Sequence, residues 1–371
     1  MSARIIAVYR VKSDAASIEA RARGIALEQS IEAPLEAVRD AYVAREIVGE
    51  PGAIREAAAG VFEVEIALSA ATVGDDAGQL LNMLYGNSSL QEDVELIDFR
   101  LPEGLLSRFP GPGQGIQGLR ARADAEARAL TCVALKPQGL SPERLAALAE
   151  AFALGGVDFI KDDHGLADQA YSPFAQRVAA IARACRRAAE KTGRLACYVA
   201  SVSGGYARMR EQIALAREAG VGAVLVAPMI AGLSNVQALA AENRDLLVFA
   251  HPTMGGAARV APPALMRLFR LVGGDVGIFP NYGGRFGYSR QTCLALASGL
   301  RAPWGGLKPA APTPAGGMTT ARVAEMLDFY GPDTMLLIGG ALLAAPLEKL
   351  VAETTTFARA VAEHEYRVSD D

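Results

Sequence analysis

The densest group of side chains that could do chemistry is Lys161–His164, which reads Lys-Asp-Asp-His and closes the apolar run GGVDFI. Side chains alternate along a strand, so Lys161 and Asp163 would share one face. Charges at the end of a buried strand are costly without partners, and a divalent cation at Asp163 and His164 would supply one. Oxygen ligands suit Mg²⁺, and an imidazole ligand shifts the preference towards Mn²⁺ or Zn²⁺. A solvated turn closed by a salt bridge explains the same residues equally well.

Two further polar residues end apolar runs. Lys136 precedes Pro137, and a lysine that is desolvated at such a place can act as a base with a lowered pKa. An ordinary surface lysine is the alternative. His251 precedes Pro252, and it could hold a substrate oxygen or shuttle a proton, or be a hydrogen-bonded structural histidine.

Two glycine pairs follow the last two apolar runs of the chain. Gly316 and Gly317 lie in AGGM, and Gly339 and Gly340 lie in IGGA. Paired glycines let backbone N–H groups approach an anion closely, so the two pairs predict a phosphorylated ligand. Ahead of them, the segment NYGGRFGYS carries one cation, Arg285. Its composition suits a mobile lid that brings a positive charge to a substrate anion, and equally a plain loop.

These residues need a scaffold that brings the ends of separate strands together. From residue 129 onwards, short apolar runs alternate with helical stretches rich in Ala, Leu and Arg, which predicts parallel βαβ units. Eight runs fit a closed (β/α)₈ TIM barrel, in which functional groups collect at the C-terminal ends of the strands and phosphate sites follow strands seven and eight. An open doubly wound sheet is the alternative, but no GxGxxG follows the first run. The runs span 129–137, 157–164, 194–203, 222–229, 246–252, 276–281, 310–317 and 334–340.

Residues 1–128 predict an N-terminal α+β domain, and residues 129–371 predict the barrel domain with a C-terminal helical tail. In the first part, alternating apolar residues indicate strands and longer apolar periods indicate helices. Gly and Pro near the boundary indicate a loop. The predicted strands are 3–11 and 61–68, the predicted helices are 31–44 and 75–86, and the predicted loop is 109–118.

Composition excludes several classes of protein. The 371 residues are 51% hydrophobic and 21% charged, which excludes an intrinsically disordered chain. The net charge of −4 argues against a nucleic-acid partner, which would need a basic patch. No apolar run reaches the roughly 18 residues of a membrane span, and the first residues lack the pattern of a signal peptide. Four widely spaced cysteines favour reduced, packed thiols in a cytoplasmic protein, and three histidines exclude a histidine-rich metal site.

Taken together, the motifs resemble the large chain of RuBisCO. GGVDFIKDDH resembles the carbamylated-lysine motif of that family, and LKPQGLSPE resembles its strand-one lysine motif. WGGLKP and PAGGM resemble the approach to strand seven, and LLIGG resembles strand eight. In the N-terminal part, ALEQSIE and LLNMLYGNSSL resemble the segments that lend a glutamate and an asparagine to the neighbouring subunit's site. The resemblance runs along nearly the whole chain.

The resemblance implies roles for the residues already singled out. Lys161 would take up CO₂ as a carbamate and, with Asp163 and His164, would bind Mg²⁺, with Mn²⁺ as an alternative. Lys136 would be an acid or base in enolisation, and His251 would contact substrate oxygens. A metal at this place would polarise a ketone and stabilise the enediolate that forms when the adjacent proton is removed.

The resemblance also implies a site shared between subunits. Glu28 and Asn87 would complete the neighbouring subunit's site in a homodimer or a higher homo-oligomer. The four paired glycines would hold the phosphate of a small-molecule substrate, with Arg285 of the lid as a further substrate-binding cation.

Several positions depart from the carboxylases of this family. His164 stands where they have glutamate, and Gln138 stands where they have a second lysine. Pro252 replaces an arginine that grips phosphate, Arg285 replaces the lid lysine, and Ala315 replaces a serine. These losses exclude CO₂ fixation on ribulose bisphosphate. The chain therefore resembles a RuBisCO-like protein of the form IV group.

The expected activity is Mg²⁺-dependent enolisation and proton transfer on a phosphorylated ketose. We place a 5-methylthioribulose-1-phosphate isomerase first, because isomerisation needs only enolisation and reprotonation. The alternative is a decarboxylase or a transcarboxylase/hydrolase acting on 3-oxo-isoapionate 4-phosphate. A 2,3-diketo-5-methylthiopentyl-1-phosphate enolase comes next, and a sugar-phosphate binding protein without turnover comes last.

Overall fold

The computed structural model describes residues 3–366, and its N-terminal part is a small antiparallel sheet. The elements are β1 Arg4–Lys12, α1 Ile18–Glu28, β2 Glu50–Ala58, β3 Val61–Ser69, α2 Ala77–Tyr85, β4 Val94–Arg100 and α3 Glu103–Leu106. The strand order is β2-β3-β1-β4. Apolar residues alternate along β3, so that Phe62, Val64 and Ile66 face a core shared with α1 and α2. The predicted strands 3–11 and 61–68 and the predicted helix 75–86 are confirmed.

The helix predicted over residues 31–44 is wrong. That stretch contains a 3₁₀ turn at Leu35–Ala37, and the π-helical turn Val43–Ile47 begins near its end. Pro34 has an extended backbone just ahead of the first turn, and proline lacks the N–H that a continuous helix needs. Asp40 accepts hydrogen bonds from the backbone N–H groups of Tyr42 and Val43 at 2.8 and 3.0 Å, so a separate turn begins there.

The second part of the chain is an eight-stranded parallel barrel, as predicted. Its strands are β5 Leu130–Leu135, β6 Phe159–Asp162, β7 Cys197–Ser201, β8 Ala223–Val226, β9 Leu247–Ala250, β10 Val276–Pro280, β11 Ala311–Ala315 and β12 Met335–Ile338. Each lies within one of the predicted apolar runs. The strands run in ring order from β5 to β11, and β12 pairs with β5. The Thr334 hydroxyl donates to the carbonyl oxygen of Pro312 at 2.9 Å, which helps to close the ring.

Helices surround the barrel. They are α4 Gly115–Ala123, α5 Pro142–Leu154, α6 Phe174–Thr192, α7 Tyr206–Glu218, α8 Pro228–Ala231, α9 Leu233–Glu242, α10 Pro262–Leu271, α11 Arg290–Arg301, α12 Val323–Tyr330, α13 Gly340–Leu343 and α14 Leu347–Ala362. Short 3₁₀ turns lie at Ala70–Thr72, Asn87–Leu90, Gly255–Ala257 and Thr320–Arg322. The predicted helical tail corresponds to α14, and residues 367–371 lie outside the described residues.

The helix α4 packs with the barrel, although part of it was predicted to be loop. Ile116, Leu119 and Ala123 join the cluster of strand side chains that fills the barrel interior. The helix begins at Gly115, inside the predicted loop 109–118, because Asp275 accepts hydrogen bonds from the N–H groups of Gln114 and Gly115. That partner lies far away in sequence, so local composition gave no sign of it. The division at residue 128 stays a prediction.

Contacts between the two parts hold the N-terminal sheet beside the loop that follows β9. Leu96 donates its N–H to Arg259 at 3.2 Å and accepts from Ala261 at 2.8 Å, which adds a short parallel bridge. The guanidinium of Arg267 lies 4.8 Å from the ring of Phe99 and 4.4 Å from that of Trp304, which is a cation–π arrangement. The sheet therefore has a defined position next to the barrel mouth.

The cysteines pack in the core, as predicted. All four are free and buried, and burial raises the pKa of each thiol, to about 12 at Cys132 and about 11 at Cys197. Within residues 3–366, no helix is long and apolar enough to cross a membrane.

Replacing Asp275 with alanine should lower the free energy of unfolding by about 2–4 kcal/mol, because buried backbone N–H groups lose their acceptor. Asp275 is fully buried and accepts from Gln114, Gly115 and Val248. Urea unfolding followed by circular dichroism measures the effect. Asp245→Ala is the control, since Asp245 forms an exposed pair with an arginine and should cost less than about 1 kcal/mol. Equal losses for both variants would contradict this role of Asp275.

Candidate active site

The polar residues predicted at separate strand ends lie together at the carboxyl end of the barrel. Lys136 follows β5, and Lys161 lies on β6 with Asp163 and His164 just beyond it. Phe159 belongs to the interior cluster of the barrel. Because side chains alternate, Lys161 points to the same side as Phe159, towards the barrel axis. The strand β6 thus aims its lysine into the barrel mouth.

Asp163 collects hydrogen bonds from three directions. Its Oδ2 accepts a short hydrogen bond from Lys136 Nζ. Its Oδ1 accepts from the backbone N–H of Gly165 at 3.0 Å and from Gln138 Nε2 at 3.4 Å. Burial alone would raise the pKa of Asp163, but the hydrogen bonds from Lys136 and Gly165 outweigh it, so that this pKa lies well below its usual range. Asp163 is therefore a carboxylate at neutral pH, with Lys136 beside it.

Lys161 is almost completely buried, with 3% of its surface exposed. Its Nζ donates to the carbonyl oxygen of Asp162 at 2.8 Å. Burial lowers the pKa of Lys161 from its ordinary value, because the charged ammonium loses its hydration. Only a neutral amine has the lone pair that attacks CO₂. The environment of Lys161 therefore suits carbamate formation.

The side chains present fit the Mg²⁺ site implied by the sequence motif. His164 Nδ1 and Asp163 Oδ1 lie 3.5 Å apart, so that one cation could contact both. Within the described part of the chain, no three His, Cys, Asp or Glu side chains come together as a metal site. A cation would therefore need a further anionic ligand, and a carbamate on Lys161 would supply one. The metal and the carbamate stay predictions.

Two histidines meet across the barrel mouth. The rings of His164 and His251 stack with centroids 4.1 Å apart and planes 10° apart. The backbone N–H of Thr253 donates to His251 Nδ1 at 3.2 Å, so Nδ1 carries no proton and the neutral ring carries it on Nε2. Burial lowers the pKa of His251 to about 2, and burial also lowers that of His164. Both rings are neutral at physiological pH, which permits the stack.

One glycine of the two predicted pairs lies beside the same cluster. A Cβ built on Gly339 would lie 4.0 Å from the Cε of Lys136, so this glycine is next to the predicted acid/base. Gly316 and Gly317 have φ angles of +79° and +99°, which L side chains rarely adopt. Gly340 begins a short helix.

The predicted lid is closed over one glycine pair. A Cβ on Gly316 would lie 3.0 Å from the ring of Phe286, and a Cβ on Gly284 would collide with the carbonyl of Gly316. Arg285 extends over the ring of Phe286 at 5.0 Å. Phe286 was not predicted as a site residue, since one aromatic residue in a glycine-rich loop carries no signal of its own. Substrate binding by Arg285 stays a prediction.

Glu28 and Asn87 lie together in the N-terminal domain. Asn87 Nδ2 donates to Glu28 Oε1 at 2.8 Å. Gln29, next to Glu28, donates to the carbonyl oxygen of Met83 and accepts from the N–H of Ser88, which fixes both segments. The family motifs assign Glu28 and Asn87 to the same site, and the structure brings the two side chains into contact. Their contribution to a neighbouring subunit stays a prediction.

The sequence did not predict the buried ion pair on the outer side of β6. Asp162 points away from the barrel axis and accepts from Arg177 Nε at 3.1 Å and from the N–H of Ser201 at 3.0 Å. Both charged side chains are completely buried. Arg177 shares a helix face with Phe174 and Ile181, and a charge on an apolar face is the signal that could have found it. The pair fixes the end of the strand that carries Lys161.

An eight-stranded parallel barrel with its polar cluster at the strand ends, behind an antiparallel α+β domain, defines the class of two-domain TIM-barrel proteins. Comparisons with known proteins identify the family within this class. Residues 115–276 match the family model for the catalytic domain of the ribulose bisphosphate carboxylase large chain. The solved structure of a Rubisco-like protein from Rhodopseudomonas palustris superposes with a TM-score of 0.92 and 50% identity, covering 99% of this chain and 100% of that one. The chain belongs to the RuBisCO large-chain family, among its RuBisCO-like proteins.

Some of the curated relatives carry names of activities, and these names are of two kinds. The 5-methylthioribulose-1-phosphate isomerase of Rhodospirillum rubrum is 55% identical over 98% of this chain and 97% of its own length. The 2,3-diketo-5-methylthiopentyl-1-phosphate enolase of Geobacillus kaustophilus is 31% identical over 76% of this chain and 71% of its own length. The family and fold predicted from the sequence are confirmed.

Replacing Arg177 with methionine should lower the free energy of unfolding by about 3–5 kcal/mol, because Asp162 would be left buried and unpaired. Thermal and urea unfolding measure the loss. Arg187→Met on the same helix is the control, since Arg187 forms a surface pair with Glu150 and should cost less than about 1 kcal/mol. Adding Asp162→Asn to Arg177→Met should restore part of the stability. If it restores none, the unpaired charge is not the cause.

Proposed function

We propose that this chain is an isomerase that moves a proton between neighbouring carbon atoms of 5-methylthioribulose 1-phosphate. The observation that carries the proposal is the cluster of Lys136, Asp163 and the buried Lys161 at the barrel mouth. A chain that only binds sugar phosphates has no need of a buried lysine beside a paired carboxylate. The 55% identity to the Rhodospirillum rubrum isomerase, against 31% to the Geobacillus kaustophilus enolase, supports this choice of substrate.

Lys161 as a carbamate, Asp163 and His164 would hold Mg²⁺ in the working enzyme. When bound, the cation would polarise the substrate ketone and stabilise the negative charge that develops on its oxygen. Asp163 is ionised for this task because its hydrogen bonds keep its pKa low. Burial lowers the pKa of His164, so that its neutral ring offers a nitrogen to the cation.

Lys136 is the group that we propose to carry the proton at its Nζ. The bond between hydrogen and the carbon next to the ketone breaks, and its electron pair forms the enediolate. The proton then returns to the former ketone carbon, and the hydroxyl proton of the deprotonated carbon passes to the former ketone oxygen, so atoms and charge balance without a further reactant. His251, with its proton on Nε2, can donate a hydrogen bond to a substrate oxygen.

The glycine pairs would hold the substrate phosphate through backbone N–H groups. Gly339 lies beside Lys136, so a phosphate bound there leaves the adjacent carbon atoms near the lysine. Phe286 lies against Gly316, so the lid loop would lie next to a phosphate held by this pair. The glycine pairs would thus bind one phosphate group.

We also propose that the working unit is a homodimer or a higher homo-oligomer. Glu28 and Asn87 form a hydrogen-bonded pair on the N-terminal domain, and the same domain exposes apolar side chains at Leu35, Tyr42 and Leu90. Leu90 lies on the same short turn as Asn87, and exposed apolar side chains are found on surfaces that another chain covers. The pair would complete the barrel mouth of a neighbouring copy.

Proton NMR in D₂O with Mg²⁺, bicarbonate and 5-methylthioribulose 1-phosphate tests the isomerase proposal. We expect deuterium uptake and a new ketose phosphate. Lys136→Met should reduce exchange at least about 100-fold, in the range that general acid–base groups supply. Lys161→Ala should remove both turnover and the response to bicarbonate.

Lys191→Met is the matched control, since this lysine lies exposed on α6 and its variant should keep full exchange. A bicarbonate response that survives in Lys161→Ala would refute the carbamate. No exchange in the unmodified chain would refute the isomerase and shift the proposal to the carboxylated apionate-type substrates, for which Arg285 would be the candidate cation.

Mixed dimers test the shared site. Glu28→Gln and Lys161→Ala should each be inactive alone, because each removes one half of every site. Random mixing in a two-fold symmetric dimer restores one intact site in each heterodimer, so about a quarter of the unmodified activity should return. Recovery is measured by the same exchange assay after the chains are mixed and allowed to reassociate. No recovery in verified heterodimers would place Glu28 in the site of its own chain.

A further inference from the structure

The C-terminal end of α2 is held by side chains from other elements. A helix leaves its last four carbonyl groups without partners of its own. Gln29, which directly follows α1, donates from Nε2 to the carbonyl oxygens of Asn82 and Met83 at 3.2 and 2.9 Å. The hydroxyl of Tyr9 on β1 donates to the carbonyl oxygen of Leu84. Three of the last four carbonyl groups of α2 therefore have partners on α1 and β1.

Gln29 also holds the segment that follows α2. Its Oε1 accepts from the backbone N–H of Ser88 at 2.9 Å, in the 3₁₀ turn Asn87–Leu90. An amide side chain has two N–H donors and one oxygen, and here both ends of the amide are used. Only 3% of the surface of Gln29 is exposed. The buried amide therefore joins the end of α2 to the turn that carries Asn87.

The chain turns sharply between these two held points. Gly86 separates α2 from the 3₁₀ turn, and its N–H donates to the carbonyl oxygen of Asn82 at 2.7 Å. A Cβ on Gly86 would lie 2.4 Å from Asn82 Oδ1 and 2.6 Å from that carbonyl oxygen, so glycine is required. Asn87 follows directly. Its position is therefore set by the contacts on either side of it.

The partner of Asn87 is the residue next to Gln29. Asn87 Nδ2 donates to Glu28 Oε1 at 2.8 Å. Successive side chains at a helix end point about 100° apart, so Glu28 can face Asn87 while Gln29 enters the interior. The residue that adjoins Glu28 thus holds the segment that carries Asn87, and the two members of the pair are fixed relative to each other.

We infer that Gln29 is a positioning residue, which sets Asn87 against Glu28 so that the pair can complete the active site. The inference rests on the proposed function for the role of the pair in the reaction. Gln29 itself is buried and acts only through its neighbours. A displacement of about 1 Å in such a pair can slow a reaction about 100-fold.

A double-variant cycle tests the inference. Gln29→Met has a side chain of similar length and no hydrogen bonds to α2 or to Ser88. In the exchange assay with 5-methylthioribulose 1-phosphate, kcat should fall about 10- to 100-fold. Adding Gln29→Met to Asn87→Ala should cause no further loss, because residues that act as one unit are not additive. Losses that multiply would overturn the inference.

Gln176→Met is the matched control. Gln176 lies exposed on α6, and its variant should keep full exchange. Gln29→Leu also removes the hydrogen bonds and replaces Gln29→Met if that variant fails to fold. Unchanged kcat in a folded Gln29 variant would contradict the inference.

Mixed dimers show in which half of the site Gln29 acts. Gln29→Met mixed with Lys161→Ala should recover about a quarter of the unmodified activity, because each heterodimer then has one intact site. Gln29→Met mixed with Glu28→Gln should recover none, since both changes affect the same half of the site. If Glu28→Gln and Lys161→Ala do recover but Gln29→Met and Lys161→Ala do not, the effect of Gln29 lies in the barrel of its own chain and the inference is wrong.

A crystal structure of the ligand-free Gln29→Met variant separates this inference from the proposed function. Asn87 Nδ2 should move beyond hydrogen-bond reach of Glu28 Oε1, and an unchanged contact of 2.8 Å would overturn the inference whatever the activity. No deuterium exchange in the unmodified chain would refute the isomerase, and the crystal structure would then decide the role of Gln29. No recovery with Glu28→Gln and Lys161→Ala would refute the shared site, whereas the double-variant cycle would still decide whether Gln29 acts through Asn87.

Discussion

The barrel mouth depends on how one strand ends. At the end of β6, alternation sends Lys161 towards the barrel axis and Asp162 outwards to Arg177. The outer pair is completely buried and is tied to the neighbouring strand through the N–H of Ser201. Such a pair is costly to bury, but breaking it is costlier still, so the strand has one favourable register. That register holds the inner lysine and Asp163 in place.

The side chains on opposite sides of the barrel mouth differ in charge. One wall carries Lys136 and Asp163 as a charged pair, and the other carries a neutral His251. Burial lowers the pKa of Lys161 and of His251, because the charged form of each would lose its hydration. A carbamate on Lys161 and a metal ligand at His164 would both depend on this loss of hydration.

Much of this arrangement was predictable from the sequence. All eight barrel strands were predicted, because a buried parallel strand reads as a short apolar run wherever it occurs. The residues at the strand ends followed from the same pattern, since parallel strands bring their carboxyl ends to one edge. Two predictions failed, the first because of turn-forming residues inside the segment and the second because of a distant contact. Pro34 and Asp40 divide the predicted helix 31–44, and Asp275 starts α4 at Gly115.

The sequence by itself determined the barrel, the family and the identity of Lys136, Lys161, Asp163 and His164 as the central cluster. These depend on periodicity and on motifs that are contiguous in the chain. Only the tertiary structure decided that Arg177 neutralises Asp162, that His164 stacks on His251, and that Gln29 binds the end of α2 next to Asn87. Each of these joins residues from different strands or helices. Their distances follow from how whole elements pack, which no local pattern of residues encodes.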